Sequence, residues 1–286
     1  MKIYLRKEKK YIEVKENKSL RFLYNTIIGR FILKIIITKP ISKLFGFLTN
    51  TKLSNLFINN FVNKNNINLE DYEKKQYKSF NDFFIRKIKQ TKRKINKNKD
   101  IFISVADSKL KVYNITEDLI IKVKNTNYSI EELLKNKEEA SKYRNGMCLI
   151  FRLCPDDYHH YIFPDKGKYT NSYHIEGKLH TVQEIAYTKY KVFTENDRVV
   201  NNLKTENFDD ISYIEVGALN VGKIHNRNLN EFIKGEEKGY FSFGGSTIIL
   251  LIKNNIIEID KDILKNSNEN IETQIFMGEQ IGKRKK

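Results

Sequence analysis

Apolar residues change their spacing near residue 100. Before it they recur at helical intervals: Ile27, Ile28, Phe31, Ile32, Ile35 and Ile36 form one stripe, with Arg30 and Lys34 together one turn apart. Pro40 ends this helix, and a second apolar stretch begins at Ile41. Ser79 and Asp82 fit the N-cap and N3 positions of a capping box, which predicts a short helix anchored by Phe80, Phe83 and Phe84 and running to about Lys89. Residues 92–99 form a basic, Asn-rich connector. Beyond it the apolar runs have strand length: 101–105, 109–112, 119–123, 148–153, 158–163, 211–216, 238–243, 247–252 and 256–259. Asn254-Asn255 predicts a hairpin turn between the last two. Residues 129–142 have helical composition, with Glu131 and Glu132 in the first turn. The expected fold class is α+β: an N-terminal amphipathic helical lobe, residues 1–99, on a mainly antiparallel β core, residues 100–286.

Composition sets outer bounds. A chain of 286 residues with 40% hydrophobic content, 18 Phe and 16 Tyr can build a substantial core, and three prolines with 13 glycines argue against a long flexible linker. Asn, Ile and Lys are abundant throughout, as genomic base composition would give, so polar Asn/Lys runs carry little weight. In a strand, Cys148 and Cys154 would share a face but lie about 20 Å apart, beyond disulfide reach. There is no CxxC pair, and the five histidines lack zinc-ligand spacing. A reducing compartment and no metal are expected. The charged N-terminus has no apolar signal-peptide core. Residues 27–37, the most apolar stretch, are broken by Arg30 and Lys34 and fall short of the roughly 20 residues a transmembrane span needs.

The formal charge of +17 is unevenly placed. Residues 1–100 carry 25 Lys/Arg against 8 Asp/Glu, whereas residues 101–286 carry 27 of each. A basic amphipathic helix with bulky apolar residues fits the interface of an anionic bilayer. The same stripe also fits a helix that faces the core along a solvated basic edge, and both readings stay open here. Nucleic-acid binding ranks below them, because no recognition motif accompanies the charge.

Candidate chemistry centres on Phe243-Gly244-Gly245-Ser246-Thr247, two glycines and a hydroxyl residue between apolar β-type runs. One reading is a glycine bulge in a buried strand. The other is a self-cleaving serine, with Ser246 beside the sterically open Gly245 carbonyl. That chemistry needs a base and an acid. Asp107 follows the 101–105 strand, and His159 and His160 follow a Pro155-Asp156-Asp157 turn. Each alone reads as an ordinary turn or structural residue.

Several segments carry further weight by their order. They are Phe80-Asn81-Asp82-Phe83-Phe84 with Arg86, Ala106-Asp107-Ser108, Asp157-Tyr158-His159 and Gly177-Lys178-Leu179-His180-Thr181-Val182. Val216-Gly217-Ala218 with Asn220-Val221-Gly222 follows, then Lys234-Gly235-Glu236-Glu237-Lys238-Gly239-Tyr240-Phe241 and the Gly-Gly-Ser segment. Together they resemble the phosphatidylserine decarboxylase proenzyme family nearly end to end. The resemblance implies that Asp107 and His159 activate Ser246, which attacks Gly245 and splits the chain into a large subunit, 1–245, and a small one, 246–286. Former Ser246 then becomes a covalent pyruvoyl group, the cofactor that draws electrons as carbon dioxide leaves phosphatidylserine. An anionic membrane lipid as substrate accounts for the cationic lobe and implies a peripheral protein on the cytoplasmic side of the cell membrane. Nucleic acid is no expected partner, and oligomeric state is left open, a homodimer included.

This chain departs from the family pattern at one point. The family commonly shows His-Arg-x-His, with the second histidine taken as the processing base; here the stretch reads His159-His160-Tyr161-Ile162. Strand alternation puts His160 and Ile162 on one face and His159 on the other. His159 is favoured as base on the motif match, with His160 as the stand-in. A soluble amino acid as substrate and an unprocessed membrane-binding relative are the alternative functions.

Overall fold

Charge dominates the first residues, yet they pair as strands. The computed structural model describes residues 1–285 apart from 16, 75, 188, 220–222 and 245. In it β1 (Lys2–Leu5) and β2 (Lys10–Glu13) form a hairpin, and β1 lies parallel to a C-terminal strand through pairs such as Ile3–Glu272. Residues 1–13 thus extend the core sheet, although the charge count groups them with the helical lobe.

The lobe itself begins at α1 (Lys18–Asn25), capped by the Asn17 side chain, and α2 (Ile27–Ile36), capped by Thr26. These helices approach closely at Gly29, where a Cβ would come within 2.1 Å of the Phe22 carbonyl oxygen. α3 (Lys39–Asn50) starts with Pro40 in its first turn, and α4 (Ile58–Lys64) follows a 3₁₀ segment, Lys52–Phe57. Ser79 caps α5 (Phe80–Phe84) by accepting the Asp82 amide. This helix stops at Phe84 rather than near Lys89, because the chain then straightens to bridge Ile88 with Tyr72. The apolar stripe of α2 faces outward: Ile27 is 79%, Ile28 68% and Phe31 71% exposed, while Leu33 is buried.

After the connector come β3 (Ile101–Ile103), β4 (Ser108–Asn114), β5 (Ile120–Val123) and β6 (Thr126–Ser129). The single helix expected over 129–142 is two, α6 (Ile130–Leu134) and α7 (Lys137–Ser141). Lys135 turns left-handed at φ 52° and Asn136 caps the second helix. Next are β7 (Met147–Leu153), β8 (His160–Ile162), β9 (Gly167–Ile175), α8 (Glu184–Tyr187) and α9 (Val192–Glu195). β10 (Arg198–Thr205), β11 (Asp210–Gly217), β12 (Ile224–Asn226), β13 (Glu231–Phe232) and β14 (Glu237–Phe241) follow. The chain closes with β15 (Ser246–Ile252), β16 (Ile257–Ile259), α10 (Lys261–Asn268), β17 (Glu272–Ile275) and β18 (Gln280–Arg284).

The main sheet runs β13-β9-β10-β11-β15-β7-β4-β17-β1-β2, and β12-β14-β8 and β16-β18-β3 form two smaller sheets. Pairing is antiparallel throughout except between β1 and β17, so the fold is α+β with a mainly antiparallel core. The turn at Asn254-Asn255 has Asn255 at φ 60° but closes no hairpin. Both edges of β15 are already taken, by β11 and β7, so β16 pairs with β18 instead. β15 is the sheet's central strand and is buried on both faces. Ile248 and Leu250 pack with Phe151 and Leu153 on one side, Ile249 and Leu251 with Ile150 and Val216 on the other. Cys148 is buried, Cys154 is half-buried, and both are free thiols.

On the first of these faces lies a buried ion pair. Lys238 and Glu215 are both fully buried and bonded to each other; Lys238 also donates to Asn226 at 3.0 Å, and Asn201 donates to Glu215 at 2.7 Å. Burial pushes the Glu215 carboxyl up and the Lys238 ammonium down, each opposed by its partner. Loss of either residue alone would strand a buried charge, at a cost of about 3–5 kcal/mol.

Candidate active site

Strand registers bring several predicted residues to one end of the main sheet. Ser246 opens β15 and stands opposite Gly217, the last residue of β11, and Leu153, the last of β7. Ser108 opens β4 at the same level, since Lys109 pairs with Arg152. Asp107, just before it, therefore enters the sheet two strands from Ser246, a separation of about 10 Å.

Ser246 is fully buried, and its Oγ has no hydrogen-bond partner among the described residues. Gly244 precedes it at φ 137°, a conformation open to glycine. Gly245, the expected cleavage partner, lies outside the described residues, as do Asn220, Val221 and Gly222.

The turn after β7 places His159. Asp157 accepts the Cys154 amide at 2.7 Å and the Lys109 ammonium at 2.6 Å, which fixes the turn. Its carbonyl oxygen lies 2.9 Å from His159 Nδ1. A carbonyl only accepts, so Nδ1 donates and the lone pair of the neutral ring sits on Nε2. That Nε2 is buried and has no partner among the described residues. Burial lowers the His159 pKa to about 3, against which the Asp157 carbonyl pulls upward, and Phe84 packs on the ring at 4.2 Å. The His159 carbonyl accepts the Phe241 amide at 3.0 Å, tying this turn to the segment that leads into Ser246.

His160 sits differently. Its Nδ1 lies 3.1 Å from a Glu237 carboxylate oxygen and its Nε2 3.0 Å from the Ile85 carbonyl. Tyr158 and Tyr240 stack on its two faces. Both nitrogens are therefore engaged. The hydrogen bond from His160 holds the Glu237 carboxyl below its usual value.

Asp107 does not touch either imidazole. Arg93 grips its carboxylate bidentately, at 2.8 and 2.5 Å, and the Met277 amide donates at 2.8 Å. The planar guanidinium matches both oxygens at once and satisfies the charge that the resemblance assigns to a histidine. Arg93, Met277 and Ile162 line one cleft of about 480 Å³, so the position of the absent second histidine lies beside this ion pair.

Three features near the candidate site escaped the sequence. Arg93 reads as one more cation in a basic connector. The main-chain carbonyl that orients His159 has no sequence signal. His180, present only within a motif, is buried with its Nδ1 3.4 Å from Tyr24 Oη and its Nε2 3.9 Å from Glu195; burial lowers its pKa to about 4. Its main chain is bonded to Asn196, which also donates to the Gly217 carbonyl beside Ser246.

Comparison with known proteins gives the family. A family model described as phosphatidylserine decarboxylase matches residues 80–283. The chain is 50% identical over 277 residues to phosphatidylserine decarboxylase proenzyme 2 of Clostridium acetobutylicum, covering 96% of this chain and 95% of the relative. It is 45% identical over 293 residues to a phosphatidylserine decarboxylase proenzyme of Clostridium tetani, covering 99% and 98%. A Clostridium botulinum proenzyme of the same description is 42% identical over 294 residues, covering both chains in full.

Proposed function

Because this chain belongs to the phosphatidylserine decarboxylase family, we propose that Ser246 both cuts the chain and becomes its pyruvoyl group. The protein is a self-processing proenzyme whose mature form converts phosphatidylserine to phosphatidylethanolamine and carbon dioxide. One observation carries the assignment of residues. Ser246 Oγ, a donor, and His159 Nε2, an acceptor, are both buried at this end of the sheet without partners among the described residues.

In the proposed step the Ser246 hydroxyl proton moves to His159 Nε2 as Oγ bonds to the Gly245 carbonyl carbon. The Gly245–Ser246 C–N bond breaks, the amine takes a proton back, and an ester replaces the amide. Elimination across the Ser246 Cα–Cβ bond releases the Gly245 carboxylate. Hydrolysis of the remaining enamine frees ammonia and leaves a ketone at the new N-terminus. A neutral keto group fits a buried position where the side chain makes no hydrogen bond. It supplies an electron sink for loss of carbon dioxide. Asp107 serves here as a positioning residue. Anchored by Arg93 and Met277, it steadies the turn in which Val105 accepts the Ile162 amide at 2.9 Å, and hence the strand that follows His159. Peptide mapping tests the assignment: the small chain is expected to begin at residue 246 with a pyruvoyl block, and a free serine amine there overturns it.

Docking to the membrane rests on α2, α3 and the 3₁₀ segment. Phe31, Phe47, Leu53, Leu56 and Phe57 are each more than 60% exposed on a lobe that also carries the basic excess. No helix among the described residues is long and apolar enough to cross a membrane. Anionic lipid at the cytoplasmic surface would attract such a lobe. Arg30→Glu with Lys34→Glu is expected to weaken co-sedimentation with anionic vesicles, losing at least about 1 kcal/mol per residue, while chain cleavage continues. Phe31→Ser with Phe47→Ser should lose about 1.5–3 kcal/mol per side chain that the bilayer buries, even at high salt. Unchanged binding in both variants would move the docking surface elsewhere.

A further inference from the structure

Helix α3 has two unlike sides. Leu44, Phe47 and Leu48 are exposed on one, with the rest of the apolar surface. On the other, Lys39, Ser42 and Lys43 border a cleft of about 310 Å³ whose far wall includes Gly217 and Lys223. Gly217 pairs directly with Ser246, so this wall stands one strand, about 5 Å, from the proposed pyruvoyl position.

The groups in this cleft are unevenly satisfied. Lys39 is neutralised by Glu176 at 3.2 Å and Asp197 at 3.0 Å. Lys43 and Lys223 have no acidic partner among the described residues. Ser42 is 97% buried, yet its Oγ makes no hydrogen bond there, not even to the carbonyl one turn back. A buried hydroxyl without a partner is costly unless a ligand completes it. Gly46, one turn further along, leaves open space where a side chain would stand. A donor and two unpaired ammonium groups suit a phosphate, and the apolar flank of the same helix suits acyl chains that remain in the bilayer.

We propose that this cleft binds the phosphodiester of the membrane lipid substrate. Ser42 donates its hydroxyl, Lys43 and Lys223 supply charge, and the serine headgroup points past Gly217 toward residue 246. The proposal rests on the decarboxylase reading above. It makes these three residues determinants of substrate affinity rather than of chain cleavage or of the chemical step.

The test uses the processed enzyme on phosphatidylserine dispersed in neutral detergent micelles, where bulk attraction to a charged bilayer is absent. Lys43→Ala with Lys223→Ala should cleave normally and raise KM about tenfold or more, with kcat within about twofold of wild type. Ser42→Ala should raise KM about threefold. Lys122→Ala with Lys137→Ala removes equal charge from exposed positions on the core and should leave KM unchanged. Glycerophosphoserine, the same phosphodiester without acyl chains, should compete with substrate on the wild type, and about tenfold less well on the Lys43/Lys223 variant. An unchanged KM in a cleaved Lys43/Lys223 variant, an equal rise in the Lys122/Lys137 control, or undiminished competition by glycerophosphoserine would overturn the proposal. If the double variant stays uncut, Ser42→Ala decides alone, and an unchanged KM there overturns it. Wild-type turnover of phosphatidylserine leaves the decarboxylase reading standing in every one of these cases.

Discussion

Ser246→Ala is expected to yield one uncut chain of 33.9 kDa where the wild type yields two. No other group can replace the hydroxyl as nucleophile, so the loss should be complete rather than partial. The variant should also fold. Ser246 Oγ is buried without a partner among the described residues, and removing it breaks no hydrogen bond while relieving an unsatisfied polar atom. Thermal unfolding of this single chain should therefore be no lower than that of wild-type precursor. Intact mass reads the outcome directly. A Ser246→Ala protein that still splits at the same bond would remove Ser246 from the reaction.

Replacing the proposed base should be nearly as severe. His159→Ala is expected to slow cleavage by about a hundredfold or more, the usual worth of a positioned general base. His160→Ala should still cleave, because the His160 ring nitrogens are committed to Glu237 and Ile85, though it gives up those bonds and two stacking contacts. Asp107→Asn should cost less than His159→Ala, since its carboxylate is bound by Arg93 and reaches the site only through the backbone. The pH profile tests His159 further. A base works unprotonated, and burial lowers the His159 pKa to about 3, so the working form prevails well below neutrality. Precursor cleavage should accordingly stay flat from about pH 8 to about pH 5, whereas a histidine at its ordinary value would lose half its rate near pH 6.5. Rapid cleavage by His159→Ala, or a midpoint near that ordinary value, would assign the base elsewhere. The same lowered pKa has a sign for stability. The unfolded chain takes up a proton before the folded one does, so stability falls as pH drops from about 6.5 toward the folded value near 3.

Much of the β core was legible because its strands are strongly patterned. Residues 248–252 are an unbroken apolar run, which suits a strand buried on both faces. Asp107, His159 and Ser246 could be named because each lies in a recognisable segment at a strand end. β10 was invisible for a physical reason. Its buried Arg198, Asn201 and Asn202 look like surface residues, yet each is satisfied internally, Arg198 by the Leu133, Thr194 and Asn196 carbonyls. β9 was missed because only its first two residues are covered by β13 on the outer edge, and its outward residues are polar. The stripe on α2 was legible as a stripe, but periodicity cannot say which way it faces. Only the packing of Leu33 into the core cluster and of Gly29 against α1 turns Phe31 outward. The Arg93–Asp107 contact spans 14 positions and depends on how a connector wraps back, which no local pattern encodes.

The position of β15 decides what happens after the cut. Residues 246–286 contribute β15 between β11 and β7, β17 between β4 and β1, and β18 between β16 and β3. The proposed small chain is thus woven through two sheets and cannot leave without dismantling both. Before cleavage, unfolding and refolding are events within one molecule. Afterwards they become dissociation and second-order reassembly, in which a short fragment carrying a bare apolar strand must find its own large partner before it aggregates. The cut therefore acts as a ratchet. On this reading each molecule has one opportunity, before the cut, to reach its native topology as a single chain.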